Sequence, residues 1–424
     1  MIDSMVATLL VFLAGVFVYG LVSRRLQRTS LTGPMVFTAL GLVCGVAISS
    51  QARFDFDIEF LLWPAKLALA FVLFSDATHV RVRGLFVRLG VVSRLLAFAM
   101  PLVIVFGAAT AAVLFDALTF WEAVVLAAIV APTDAGLGQA IMHDDRVPTG
   151  VRQSLNVEAG LNDGLVIPFF TLAIGFARLD DPSHETSIIR FTLEQIGYGI
   201  GIGVLLGGIG GWLLQQASER NWVTQGYHQL TLIALCLASF VIALEVGGNE
   251  FIAPFVAGLF VKLNFEDVGQ TMQDFSDAWG GLLNSLVFFT FAMVAVGQLD
   301  QLTATSWVYA VISLTAVRML AVAVSLLGAG LRPASVLFIG WFGPRGLASI
   351  VLGLLLIKKD AVIPGQEVIE GAVIATVLMS IAAHGLTTNP GIRIYATRVA
   401  NLSDDAPELE AAPELIDKFW DDEW

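Results

Sequence analysis

Apolar runs of about twenty residues, separated by short polar breaks, recur along this whole chain, and one such run is what a helix needs to cross the hydrocarbon core of a bilayer. The runs predict thirteen spans, at roughly 5–22, 34–50, 60–79, 91–114, 120–143, 153–178, 191–215, 228–246, 250–263, 282–299, 305–329, 333–357 and 366–392. The ninth is short and is followed by NFEDVGQTMQDFSDAW, which reads as an amphipathic surface connector. Strands of a membrane barrel would alternate with a period of two, and these runs do not. The pattern predicts an all-α polytopic membrane protein of about thirteen transmembrane helices.

Three interruptions stand out against this apolar background. Span five carries APTDAG, with Pro132, Thr133, Asp134 and Gly136 near its middle; span six carries Glu158, Asn162 and Asp163; span twelve carries GPRG from Gly343 to Gly346. An Asp at the bilayer centre costs about 2.5–3.5 kcal/mol even on mild scales, so three acids on two adjacent helices point to an ion or proton path. Pro and Gly free backbone groups that must meet a cavity, an ion or a neighbouring helix. Paired interruptions in two halves of a transporter mark a midplane site between inverted repeats. The expected organisation is a transmembrane domain over 1–400, with repeats at about 1–178 and 228–396 joined by a linker helix at 191–215, and a tail over 401–424. The acid of one break (Asp134) and the base of the other (Arg345) suit the ends of half-helix dipoles crossing there.

Composition sharpens this picture. Hydrophobic residues make up 57% of the 424 residues and charged residues 14%, against about 25% charged in soluble domains; the mean hydropathy is +0.80. Cys44 and Cys236 lie in apolar runs and act as packing residues. The first run is too long, and too poor in preceding basic residues, for a cleaved signal. Arg24, Arg25 and Arg28, then Arg81, Arg83 and Arg88, then Arg146 and Arg152, then Arg393 and Arg398 fall on one side of the predicted topology. That side is cytoplasmic by the positive-inside rule, which puts the N-terminus outside and the C-terminus inside; the acidic LDDPSHE (Leu179–Glu185) lies opposite, and Lys358 and Lys359 run against the rule. The net charge of −13 is mostly local: residues 401–424 hold nine acids against Lys418 alone, and such a segment is expected to be solvated and disordered. No Cys/His cluster, phosphate loop or nucleophile triad is present, and GIGIGVLLGGIGG (199–211) reads as small-residue helix packing rather than nucleotide binding. No cofactor and no nucleic-acid partner is expected.

Among the buried polar residues, Asp163 is the expected ion-binding and proton-carrying group. Low dielectric disfavours the charged form of a carboxyl, so such a group alternates between a protonated neutral state and an ionised, cation-bound one. Asn162, about 100° around the helix, is a neutral donor and acceptor suited to the frayed backbone of span five. An Asn–Asp pair carries one titrating proton, which favours one-for-one, electroneutral exchange. Glu158 lies about 140° around the helix from Asp163 and faces a different neighbour; Arg318 is its preferred cation over Arg345, which is left for Asp134 or for loose carbonyls. Asp76 is expected to pair locally with Arg81, Arg83 or His79. Glu122 and Glu245 are expected at the interface, and His384 at a helix end.

APTDAGLGQAI, NVEAGLNDG and GPRGLAS, in that order, resemble the monovalent cation/proton antiporters of the cation:proton antiporter-1 class, the sodium/proton exchangers with an Asn–Asp motif. The resemblance covers nearly all of 1–400. It implies a homodimer with a dimerisation domain and a six-helix core that moves as an elevator, with electroneutral exchange of sodium, sometimes potassium or lithium, for one proton. It further implies Asp163 as the essential ion-binding acid with Asn162 as its partner, and Thr133 and Asp134 as the unwound-helix pair with the Thr133 carbonyl a ligand to the monovalent cation. Glu158 and Arg318 would be the interhelical ion pair, and Arg345 the base of the glycine-rich break. The family's usual Ser after the motif Glu is Ala159 here, which removes a hydroxyl and opens a potassium-selective alternative; the usual Thr-Asp-Pro order is altered at 132–135. The expected function is cation/proton antiport in the inner membrane, serving pH and cation homeostasis. A same-fold sodium-coupled symporter and a degenerate relative acting as a channel or sensor are the rivals.

Overall fold

The computed structural model describes residues 2–26, 29, 31–49, 58–79, 90–142, 144–178, 185–265, 268, 279–357, 363–403 and 406–409. Helix occupies part or all of every apolar run predicted above. The helices are α1 (Ile2–Leu26), α2 (Gly33–Ser49), α3 (Ile58–Thr78), α4 (Val91–Leu114), α5a (Phe120–Ile129), α5b (Ala135–Met142), α6 (Thr149–Ala177), α7 (Glu185–Glu219), α8 (Gln225–Glu245), α9 (Ile252–Asn264), α10 (Gly281–Gly297), α11 (Ala304–Ser325), α12a (Pro333–Trp341), α12b (Leu347–Ile357) and α13 (Gln366–Val399). Seven of them are long and apolar enough to cross a membrane. Their outer faces are apolar as well: Leu9, Leu10, Leu13, Phe17 and Leu21 of α1 are exposed, a surface that suits lipid rather than water. The chain is an integral, multi-pass membrane protein.

Two helix groups emerge from the packing. α4, α5, α6, α11, α12 and α13 pack on one another, while α2, α3, α7, α8, α9 and α10 form the second group with α1 alongside. Irregularities recur in corresponding places. α4 contains a π-turn at Leu95–Ala99 and α11 one at Ser313–Val317; α5 and α12 are both interrupted; α6 and α13 both carry an internal proline, Pro168 and Pro390. An internal duplication produces this kind of matched defect.

The glycine stripe of α7 finds its partner within the chain. Gly199, Gly203, Gly207 and Gly211 recur every four residues and face Asn249, Ala253, Ala257 and Val261 in turn, so close that a Cβ on Gly203 would lie 2.7 Å from the Ala253 carbonyl oxygen. This is backbone-to-backbone helix packing, and it uses the glycine face of α7 on α9.

Two acids lie elsewhere than expected. Glu122 is fully buried rather than interfacial. It completes a capping box with Thr119 at the start of α5a, and its Oε1 accepts the Gly365 N–H at 2.6 Å, so a helix N-terminus and a loop amide replace the water it would otherwise need. In the acidic tail, Glu408 is 1% exposed rather than solvated. Its carboxylate accepts the Arg332 N–H at 2.7 Å and the Ser335 hydroxyl at 2.8 Å, at the N-terminus of α12a, and its carbonyl accepts the Gly150 N–H at 2.9 Å, at the start of α6. A carboxylate is favoured at a helix N-terminus because it meets unpaired amides and the positive dipole end. Arg28, Arg81, Arg83, Arg88, Lys358, Lys359, most of the loop 179–185, most of the connector 264–279, Asp404, Asp405 and 410–424 lie outside the described residues.

Replacing Glu408 with Ala leaves the Arg332 amide and Ser335 hydroxyl without that acceptor, which costs about 1–3 kcal/mol. The melting temperature of the purified protein in detergent should fall, and truncation after residue 403 should reproduce the fall. Asp300→Asn, at an exposed position, should change stability by less than about 0.5 kcal/mol.

Candidate functional site

The two helix interruptions meet each other. The Asp134 N–H donates to the Pro344 carbonyl at 2.7 Å, joining the break of α5 to the break of α12. Four half-helix ends converge here, and each needs partners for its exposed backbone groups. Asp134 serves both N-termini: Oδ1 accepts the Gly136 and Leu137 N–H groups of α5b at 2.5 and 3.2 Å, and Oδ2 accepts the Leu347 N–H of α12b at 2.7 Å. Arg345 serves the C-terminal end of α5a: its Nη1 donates to the Ala131 carbonyl and, at 3.1 Å, to the Pro132 carbonyl. The acid thus sits at positive dipole ends and the base at a negative one.

His384 of α13 holds the fourth end. Its Nε2 donates to the carbonyl of Trp341, the last residue of α12a, at 2.9 Å. The Arg345 N–H donates to Ser380 Oγ at 2.6 Å, and Ser380 Oγ lies 3.1 Å from His384 Nδ1. His384 Nδ1 also lies 2.9 Å from the Ser380 carbonyl, so the ring spans from the backbone and hydroxyl of Ser380 to the end of α12a. Two side chains one turn apart on α13 therefore bridge the GPRG break. The sequence marks His384 only as a residue at a helix end; its spacing of four from Ser380 is the signal that joins the two.

Glycine is required where the breaks touch side chains. A Cβ on Gly346 would overlap the Asp134 carboxylate, and one on Gly343 would come within 2.6 Å of Arg318 Nε. Any larger residue at Gly346 displaces the carboxylate that caps two helices.

On α6, the polar residues face different neighbours. Glu158 meets Arg318 of α11 in a two-pronged ion pair, 2.6 Å from Oε1 to Nη1 and 2.8 Å from Oε2 to Nη2, with both side chains 2% exposed. Asn162 Nδ2 donates to the Thr133 hydroxyl at 2.7 Å, so its partner in the break is a side chain rather than the freed backbone. Asp163 is 5% exposed, and its Oδ1 and the Asn162 Oδ1 have no hydrogen-bond partner among the described residues. Asp134 and Asp76 lie close enough for their charges to act on Asp163. Asp76 abuts Gly160 of α6, and His79 Nδ1 donates to the Ser75 carbonyl; Arg81 and Arg83, the other expected local partners of Asp76, lie outside the described residues. A narrow cavity beside the break is lined by Thr133, Asp134, Gly138, Leu155, Ala159 and Phe342. Ala159 presents a methyl group to it, with no oxygen.

This arrangement leaves one buried carboxylate unlike the others. Glu158 has a cation, and three backbone amides hold Asp134. Asp163 has neither among the described residues, and a carboxylate so placed is chemically suited to a hard cation or a proton.

The family model described as sodium/hydrogen exchanger, transmembrane, matches residues 9–393. The chain is 25% identical over 364 residues to the K(+)/H(+) antiporter NhaP2 of Shewanella sp. (strain ANA-3), covering 85% of this chain and 62% of that protein, so it spans less than two thirds of that relative's length. It is 23% identical over 350 residues to a Na(+)/H(+) antiporter of Schizosaccharomyces pombe, covering 73% of each. Its fold resembles that of the sodium proton antiporter MjNhaP1 of Methanocaldococcus jannaschii at pH 8, with a TM-score of 0.73 at 18% identity over 93% of this chain and 99% of that one.

Removing either member of the Glu158–Arg318 pair strands the other charge in a dry interior, at a cost of about 3–5 kcal/mol. Glu158→Gln and Arg318→Gln should each lower the yield of folded protein and its melting temperature sharply, and the double variant should lose less than the sum. Ser380→Ala should destabilise by about 1–3 kcal/mol, since it leaves the Arg345 amide without its acceptor.

Proposed function

We propose that this chain, which belongs to the sodium/hydrogen exchanger family, exchanges a monovalent cation for a proton across a membrane. The observation that carries the reading is a buried Asp163 whose Oδ1 has no hydrogen-bond partner among the described residues, next to an Asn162–Thr133 contact where two broken helices cross. A carboxylate so placed holds either a proton or a cation, because low dielectric does not tolerate the bare anion. Competition between the two ligands for one site couples their opposite movements. Asn162 does not titrate, so one proton exchanges for one cation of single charge and the cycle is electroneutral.

In this reading Asp163 and the Thr133 carbonyl take the cation, with Asn162 fixing Thr133. Asp134 and Arg345 keep the breaks open by capping their ends, and the Glu158–Arg318 pair ties α6 to α11. Residues 1–400 form the transport domain, with repeats at about 1–178 and 228–396, and 401–424 a cytoplasmic tail. The chain works as a homodimer in the cell membrane, N-terminus outside and C-terminus inside, as the basic residues of its loops favour. The group α4, α5, α6, α11, α12 and α13 carries the site past the other group, elevator-fashion. The names of the relatives divide between potassium and sodium, so both ions belong in the test.

Everted membrane vesicles from a host lacking its own antiporters provide it. Adding sodium or potassium to acidified vesicles should release protons from wild type, and Asp163→Asn should abolish the release. Equal signals from the two proteins would sink the mechanism. With sodium as the substrate, clamping the voltage by potassium and valinomycin should leave the rate unchanged; a voltage-dependent rate would argue against one-for-one exchange.

A further inference from the structure

We propose that Asn284 of α10 handles the cation at the seam between the two helix groups. Its amide oxygen takes the place of a water molecule on an ion that passes between the cytoplasm and Asp163. The proposal rests on the exchange reading above and adds a residue to the route into its site. Asn284 stands in the first turn of α10 and reaches the break of α5. A Cβ on Gly136 would lie 2.8 Å from Asn284 Nδ2 and 2.9 Å from Asp134 Oδ1. The amide and the carboxylate therefore share the face of Gly136 that carries no side chain, and any side chain there would have to displace one of them.

The orientation of the amide follows from its neighbour. Nδ2 is the atom on the Gly136 face, beside the Asp134 carboxylate, where a carbonyl oxygen would meet an oxygen of like charge. Asn284 Oδ1 is buried and has no hydrogen-bond partner among the described residues. A buried carbonyl oxygen without a partner costs free energy, and an ion or a water molecule that reaches it removes that cost. Asp134 does not offer a free ligand here, since its two oxygens are committed to three backbone amides. Beside that carboxylate, the oxygen left free comes from α10.

Position decides what that oxygen does. α10 packs on α2, α3 and α12b and belongs to the group that does not carry Asp163, so Asn284 meets the break across the seam along which the groups slide. In the topology proposed above, α10 starts on the cytoplasmic side and α5b is the cytoplasmic half of span five, which puts the amide on the inner side of the crossing. Asp134, beside it, is near enough for its charge to act on Asp163. An amide carries no net charge. It replaces part of a hydration shell, as carbonyl oxygens do in ion filters, and lets the ion leave again, whereas a carboxylate in its place would trap the cation short of Asp163. Asn284 stays with its own group when the other moves, so it serves the ion on the cytoplasmic face alone.

The test titrates sodium and potassium on each face of the membrane, in everted vesicles for the cytoplasmic face and in right-side-out vesicles for the other. The vesicles bear full-length wild type, Asp163→Asn, Asn284→Ala, Asn284→Leu or Asn284→Gln. In everted vesicles Asn284→Ala should raise the half-saturating cation concentration about fivefold, the net worth of one polar contact, and keep the maximal rate. In right-side-out vesicles the half-saturating concentration should stay at the wild-type value. Asn284→Gln, which keeps the amide, should recover most of the affinity. Asn284→Leu, which keeps the bulk and removes the oxygen, should behave as Asn284→Ala does and replaces it in the test if that variant folds poorly. An unchanged half-saturation in everted vesicles, a rise on both faces alike, or a rise confined to right-side-out vesicles would overturn the proposal. So would a lowered melting temperature with wild-type half-saturation on both faces, which marks a packing role alone. A wild type indistinguishable from Asp163→Asn would overturn the exchange reading itself, whereas an active wild type with a wild-type-like Asn284→Ala overturns only the role of Asn284.

Discussion

Two helices that stop halfway through an apolar core create the constraint on which the rest of this structure depends. A backbone amide or carbonyl without a partner in lipid costs several kcal/mol, and two interruptions expose such groups at four ends. The chain answers by crossing the interruptions, so that each supplies partners to the other. Asp134, in the first break, caps the start of α12b as well as α5b; Arg345, in the second, caps the end of α5a. The small residues at Gly343 and Gly346 follow from this crowding, because the Asp134 carboxylate of the first break lies on the backbone at Gly346 and the Arg318 guanidinium of α11 lies on it at Gly343.

The crossing then constrains the helices around it. α13 has Ser380 and His384 on the face toward α12, where they bridge the same break from its other side. α6 has Asn162 against Thr133 and Glu158 against Arg318, and so joins α5 on one face and α11 on another. Glu408 binds the starts of α12a and α6 together at the end remote from the crossing. The unit that contains the breaks is thus tied at its centre by charge and at one end by a cap.

Much of this was legible in the sequence because hydropathy in a membrane is a strong signal and buried charge is rare. Each apolar run became helix, and the charged residues inside the breaks announced where backbone would need partners. The parts that were not legible depend on contacts between distant segments. Glu408 looks like any of the nine acids of the tail, and only the N-terminus of α12a singles it out. Glu122 lies at a span end, where water would be the ordinary expectation, yet the loop at Gly365 covers it. Asp76 sits just before a run of arginines, and that local pattern hides its neighbour Gly160, eighty-four residues away along the chain.

The distribution of fixed charge explains why Asp163 differs from its neighbours. Glu158 and Arg318 cancel each other at hydrogen-bond distance. Asp134 rests on amides at the positive ends of two half-helices, each end equivalent to about half an elementary charge, so the two together offset roughly one negative charge. Arg345 rests on carbonyls at a negative end. Once these groups are balanced within the protein, the carboxylate of Asp163 remains with no fixed counter-charge among the described residues, and Asp76 and Asp134 near it carry its own sign. A low-dielectric site of that kind requires a mobile positive charge, and the proton and the small cation are the two that a membrane transporter meets on both sides. The proposed exchange therefore needs no gate that recognises both ligands. It needs a structure that balances the charges at the crossing and leaves this one to whichever ligand arrives.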